Sequence, residues 1–235
     1  MKKKTIAMVC LAATTGIGQA HAAGADDPML AMVKIDKLEY RSTDGPDPLV
    51  LEADAWIGKD LHKAWFKIDA ERVDSELAEL EVQALYSRAI APFWDVQVGL
   101  RHNAKPKPSQ TWAAFGVKGL APYWFEVDAA AFVNPDGQVN VRASAEYEWM
   151  FTQQLALSPE VEVNLYNKDD ADREVGAGLA DLRAGLRLRY EIRREFAPYI
   201  GVNWNRKFGE TADMARSSGV DVSDAQFVVG LRAWF

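Results

Sequence analysis

The chain is short of the residues that staple small domains or grip soft metals. It has one cysteine, Cys10, so no intramolecular disulfide can form, and three histidines, His21, His62 and His102. No His-Glu-x-x-His, Gly-x-Ser-x-Gly, phosphate-loop or cysteine-cluster motif occurs, which removes the common signatures of hydrolases, nucleotide binders and zinc sites. Outside the N-terminus there is no apolar run of the ~18 residues a membrane-spanning helix needs. Bases are outnumbered, 27 Lys and Arg against 34 Asp and Glu, which argues against a nucleic-acid partner. The chain is not poor in apolar residues: 49% are hydrophobic, yet 26% are charged and mean hydropathy is only -0.21. If such a chain sits in a membrane it must do so as a β-barrel, the only other spanning structure that satisfies every backbone polar group in lipid.

Residues 1–22 read as a Sec-type export signal. Lys2, Lys3 and Lys4 form a basic start, Thr5 to Gly18 a short apolar stretch, and Ala20-His21-Ala22 a small-residue cleavage site. Cys10 lies inside it. Losing three lysines and no acid takes the formal charge from -7 to -10. A short arm, 23–29, and one domain, 30–235, follow.

The segment Gln226 to Phe235 sets the pattern for that domain. Phe227, Val229, Leu231, Ala233 and Phe235 share one face; Gln226, Val228, Gly230, Arg232 and Trp234 share the other. A period of two, with unlike faces, is a strand between two different solvents. The chain stops on an aromatic, as outer-membrane barrels do. Twelve such runs are predicted, an even number, over roughly 30–40, 48–58, 61–72, 76–88, 92–102, 110–119, 122–133, 138–149, 153–166, 178–192, 197–207 and 225–235. Connections at 58–60, 89–91, 120–122, 151–152 and 193–196 are short. Those on the other side, at 41–47, 72–75, 102–109, 134–137, 167–177 and 208–224, include three long ones. Short turns on one rim and long loops on the other are the outer-membrane arrangement, with the short ones periplasmic. The short-turn rim is expected to carry an aromatic girdle built on Ala91-Pro92-Phe93, Ala121-Pro122-Tyr123 and Ala197-Pro198-Tyr199, with Trp94, Trp124, Trp149 and Phe151.

Parity assigns the faces. Leu182, Ala184, Leu186 and Leu188 oppose Asp181, Arg183, Arg187 and Arg189; Val161, Val163 and Leu165 oppose Glu160, Glu162 and Asn164. A soluble barrel and a membrane barrel share this pattern with opposite senses; the export signal, the sorted loops and the girdle select the membrane sense. The inward faces then carry fifteen acids and eight bases, a surplus that makes the lumen negative and attractive to cations. Many of these charges will pair across strands, where facing Cβ atoms are ~5 Å apart, so a salt-bridged structural plug is the competing reading.

No catalytic constellation emerges, and an enzyme is not expected. His62 and His102 share parity with apolar neighbours and point outward at opposite rims. The candidate cation-attracting acids are Asp54, Asp95, Glu126 and Glu160. Met29, Met32 and Met150 are candidate thioether ligands near the periplasmic mouth, of the kind that suits Cu(I); scattered methionines also serve simply as packing.

Seven stretches resemble the copper resistance protein B family. They are Asp54-Ala-Trp56-Ile-Gly58-Lys-Asp60, Tyr86-Ser-Arg88-Ala-Ile-Ala-Pro92, Trp94-Asp95-Val-Gln-Val-Gly99-Leu-Arg101, Gly119-Leu-Ala-Pro122-Tyr-Trp-Phe125-Glu126, Gly185-Leu-Arg-Leu-Arg-Tyr-Glu-Ile192, Arg194-Glu-Phe-Ala-Pro-Tyr-Ile-Gly201 and Gly230-Leu-Arg-Ala-Trp-Phe235. The resemblance covers roughly 48–235. It implies a barrel in the outer membrane of a Gram-negative cell, in contact with lipid, encoded with periplasmic copper-handling partners and binding or passing copper ions. Many members carry a Met- and His-rich arm before the barrel. Here residues 23–29 hold Met29 and no histidine, so the arm's metal-binding role does not carry over. A structural or general-diffusion barrel without metal chemistry is the alternative expectation.

Overall fold

The computed structural model describes residues 27–43 and 45–235. The expected export signal, with Cys10 and His21, and most of the expected arm lie outside them. Twelve strands form one antiparallel ring: β1 (Leu30–Ser42), β2 (Leu49–Gly58), β3 (His62–Val73), β4 (Glu76–Ala91), β5 (Trp94–Lys105), β6 (Gln110–Ala121), β7 (Phe125–Val133), β8 (Val139–Glu146) with its short continuation β9 (Trp149–Met150), β10 (Leu155–Tyr166), β11 (Gly178–Tyr190), β12 (Phe196–Lys207) and β13 (Ser223–Trp234). β8 and β9 both pair with β10, so they are one barrel strand broken at Tyr147–Glu148. The ring closes where β13 pairs antiparallel with β1, from Lys34 opposite Trp234 to Ser42 opposite Phe227. Closure leaves no unpaired edge, the requirement for strands in lipid.

The faces are inverted relative to a soluble protein. Phe66, Leu100, Phe115, Ile200 and Phe227 stand exposed on the outer wall, while Glu39, Glu81, Arg101 and Asn140 are buried inside. Water-facing charge within and apolar side chains without mark a membrane barrel. On the short-turn rim Phe93, Tyr123, Trp124, Trp149 and Phe151 are all exposed, and Trp149 and Phe151 pack ring to ring with centroids 5.7 Å apart. This is the interfacial girdle.

The lumen is not an open pipe. On the β3–β7 side Trp65, Leu85, Trp112, Ala114 and Phe132 pack as an apolar wedge, with Trp56 stacked on Trp65 at 6.1 Å. The Arg101 guanidinium lies over the rings of Phe132 and Trp112, at 3.9 and 4.7 Å. A planar cation fits there because it gains from the ring faces while its edge still bonds Asn140.

Beside smaller register shifts at β3–β4, β4–β5 and β10–β11, three features depart from the expected pattern. β1 carries a bulge between Ile35 and Lys37, so Asp36 and Lys37 both turn inward and the phase shifts by one residue. That shift brings Lys34, Asp36, Lys37, Glu39 and Arg41 into the lumen, none of which the inward tally above includes. The girdle expectation also fails for its third copy: Tyr199 is 3% exposed and faces the lumen. The turn there ends at Phe196, where β12 begins, so Ala197-Pro198-Tyr199 lies inside the strand rather than at the rim. Finally, the last long loop holds a helix, α1 (Gly209–Ser217), which buries Thr211, Ala212 and Ala215.

Candidate functional site: the charged lumen

Two fully buried carboxylates organise the charges. Glu39 accepts from Arg187 Nε at 2.5 Å, Arg41 Nε at 2.8 Å and the Tyr199 hydroxyl at 3.1 Å. Glu81 takes both guanidinium nitrogens of Arg142, at 3.0 and 3.1 Å, and also accepts from Gln83 and Asn103. Each carboxylate ties strands that are distant in sequence, and bidentate charge-assisted bonds are the strong kind. They stand towards the long-loop rim and fill much of that half of the lumen.

Three linked spaces remain along the barrel axis. An outer chamber of about 70 Å³ is lined by Glu52, Asp69, Glu71, Glu79, Glu81 and Glu162 with Arg41, Arg142 and Arg183. A central chamber of about 400 Å³ shares Glu52, Asp69 and Glu162 with it and adds Asp54, Glu126 and Glu160 among others. An inner vestibule of about 840 Å³ opens on the short-turn rim and is lined by Glu148, Met150, Arg189, Arg194, Arg232 and Trp234. A side chamber of about 120 Å³ reaches from the centre towards Leu85, Gln97 and Phe132.

Pairing is unequal. Every lysine and arginine lining the outer and central chambers has a carboxylate within 4 Å. Among the described residues Asp54, Asp69, Glu71, Glu79 and Glu126 have no such cation. The unpaired charges along these two chambers are therefore acidic. No three His, Cys, Asp or Glu side chains among the described residues converge as a metal-holding group.

The long loops fold over the outer mouth. Arg173 in the β10–β11 loop donates to the carbonyls of Pro106 and Pro108 at 3.4 and 3.0 Å. The Gly176 amide donates to Thr211 Oγ1 of α1 at 2.9 Å, and Ser218 donates to Glu174 at 2.8 Å.

The expected site residues fall in different places. Asp54, Glu126 and Glu160 line the central chamber, with Glu160 held by Lys37 and Arg187, each at 2.8 Å. Asp95 is bonded by Lys63 at 3.3 Å and by Ser87 at 3.0 Å and lines none of the three axial spaces. Met150 lines the vestibule; Met32 lies opposite Trp56, and Met29 stands exposed just before β1. His62 and His102 point outward, against Tyr86 and Thr111. Asp69, Glu71 and Glu79 were readable as inward acids from parity. Their lack of a partner was not.

Comparison with known proteins agrees with this architecture. Among solved structures, the NanC porin superposes with a TM-score of 0.57 at 12% identity, over 87% of this chain and 99% of that one. The KdgM porin gives 0.51 at 10% identity, over 88% and 99%. At that identity the likeness concerns the fold alone. In sequence, Copper resistance protein B of Escherichia coli is 42% identical over 210 residues, 89% of this chain and 71% of that protein. A Copper resistance protein B homolog of Pseudomonas syringae pv. tomato is 44% identical over 200 residues, 85% and 68%. The family profile described as Copper resistance protein B precursor (CopB) matches residues 29–235. A match running through all twelve barrel strands, on a closed ring with its charges inside, means that this chain belongs to the copper resistance protein B family and is an outer-membrane, porin-like β-barrel.

Proposed function

We propose that the barrel passes copper ions through its lumen, drawn by the unpaired carboxylates Asp54, Asp69, Glu71, Glu79 and Glu126. The observation that carries this reading is the imbalance of pairing: each chamber-lining base has a carboxylate within 4 Å, and these five acids have no base. A focused negative potential raises the local concentration of cations and repels anions. The acids are spread along two chambers instead of converging, which suits transit better than storage, because a permeating ion must leave as readily as it enters. Met150, on the vestibule wall, would offer a thioether at the exit, with Met29 and Met32 nearby in sequence to the same rim. A periplasmic copper-handling protein would meet the ion there.

The outer chamber, about 70 Å³, is the smallest of the three axial spaces. That dimension favours an ion over a sugar and speaks against a general-diffusion pore.

The test is copper entry into proteoliposomes loaded with a copper-responsive dye. Wild-type barrel is expected to admit copper, and an Asp69→Asn, Glu79→Gln double variant to admit it at least about fivefold more slowly, since each unit charge is worth ~1 kcal/mol at contact distance even in water. Equal rates for empty and protein-bearing vesicles would end the reading. Metal content of a triple Met29→Leu, Met32→Leu, Met150→Leu variant after copper loading decides the thioethers separately: no loss relative to wild type removes them.

A further inference from the structure

We propose that Arg189 and Arg232, clamped together by Glu146, form the inner selectivity gate of the lumen. The assignment rests on reading the lumen as a cation passage. Arg189 on β11 and Arg232 on β13 are the two side chains that line both the central chamber and the inner vestibule, so whatever passes between these spaces passes them. One carboxylate oxygen joins them. Glu146 Oε1 lies 3.3 Å from Arg189 Nη1 and 3.6 Å from Arg232 Nη1. Arg189 also contacts Glu148 through Nη2, and Arg232 Nη2 lies 3.7 Å from Asp36 Oδ1. Asp36 is in turn held by Lys34 at 2.5 Å. Arg189 is 3% exposed, and its Nε has no acceptor.

Charges of both signs crowd this plane. Arg189, Arg232 and Lys34 face Glu146, Glu148 and Asp36, with Glu126 opposite Glu146 and Asp54 opposite Lys34 in register. Guanidinium groups stay protonated at any physiological pH, so the positive side cannot be titrated away. Each substitution here therefore shifts the field an ion meets in a known direction. Removing Glu146 leaves two arginines with one fewer counter-charge and makes the plane more positive. Removing Arg232 makes it more negative and also widens it. The two arginines are the cations shared by the central chamber and the vestibule, so this is where passage is slowest for a cation and where the cation preference is set.

Reversal potentials in planar bilayers under a potassium chloride gradient test the gate. Glu146→Gln is expected to lower the cation-to-anion permeability ratio, and Arg232→Gln to raise it, each by about fivefold. The two shifts have opposite signs, which a merely structural role would not produce. Variants are first checked for the heat-modifiable gel migration of a folded barrel. Should wild type prove closed in bilayers, the Arg189→Gln, Arg232→Gln double variant decides: measurable conductance supports the gate, and a folded but silent double variant overturns it. Shifts of the same sign, or none, in the two single variants also overturn it. A gate that behaves as expected in a barrel that admits no copper would remove the copper reading and leave the gate standing.

Discussion

Arg187 on β11 donates its Nε proton to Glu39 on β1 at 2.5 Å, joining residues 148 positions apart across the lumen. Glu39 is fully buried, and Arg41 and Tyr199 share it. Removing it leaves the Arg41 guanidinium inside with no counter-charge and Arg187 with Glu160 alone. Glu39→Gln is therefore expected to cost about 3 kcal/mol, the order found when one member of a buried pair is lost. Urea unfolding in detergent, followed by tryptophan fluorescence, measures it. A change below ~0.5 kcal/mol would show that lumenal water solvates these groups well enough to make the pair dispensable.

Glu81 and Arg142 meet through two parallel bonds, at 3.0 and 3.1 Å. Their contributions should not add. A double-mutant cycle of Glu81→Gln and Arg142→Gln is expected to give a coupling of about 1–3 kcal/mol. Simple additivity would place the plug's strength elsewhere.

Gly230 lies opposite Tyr199 on the inner face of the sheet. A Cβ built there falls 2.6 Å from the tyrosine hydroxyl. Only glycine leaves the ring room to lie across the strand and reach Glu39. Gly230→Ala should destabilise the barrel by about 1–3 kcal/mol through overpacking. In a Tyr199→Ala background the same change should cost far less. An equal cost in both backgrounds would mean that the ring is not what the glycine accommodates.

Arg173 pins the β10–β11 loop to the carbonyls of Pro106 and Pro108. Arg173→Ala is expected to speed hydrogen exchange at the amides of residues 174–176 by about tenfold, the loss of one or two charge-assisted bonds. Unchanged exchange would assign the loop's order to the α1 contacts instead.

In the β1–β2 loop, the Tyr40 hydroxyl and the Thr43 amide both donate to Asp47 and hold its carboxyl below the ordinary value of 3.8. A depressed carboxyl stabilises the folded loop above its ordinary pKa, and that stabilisation is lost as pH falls through the lowered one. Tyr40→Phe should move the Asp47 titration upward in an NMR pH series. No movement would leave Thr43 as the sole cause.

Alternation made most of the ring legible. Leu182 to Ile192 and Val139 to Tyr147 could be sorted into two faces because each side chain meets either lipid or water, and strand geometry repeats every second residue. The short turns and their exposed aromatics followed from the same rule. Where the rule broke, the reading broke with it. The β1 bulge places Asp36 and Lys37 on one side, so the inward charges of that strand escape a parity count. Tyr199 repeats a rim motif yet sits inside, because one turn ends at a different distance from its proline. α1 lies in a polar stretch with no side-chain cap to announce it.

The amino-acid order by itself determined that this chain is a barrel with lipid outside and charge inside, since that needs only local periodicity and a solvent on each face. Which charges cancel was decided by tertiary structure alone. Closing the ring brings Glu39 to Arg187 and Glu146 to Arg232 across a lumen a few side chains wide. Coulomb interaction at such range depends on the distance between groups in space, and separation along the chain carries no record of it.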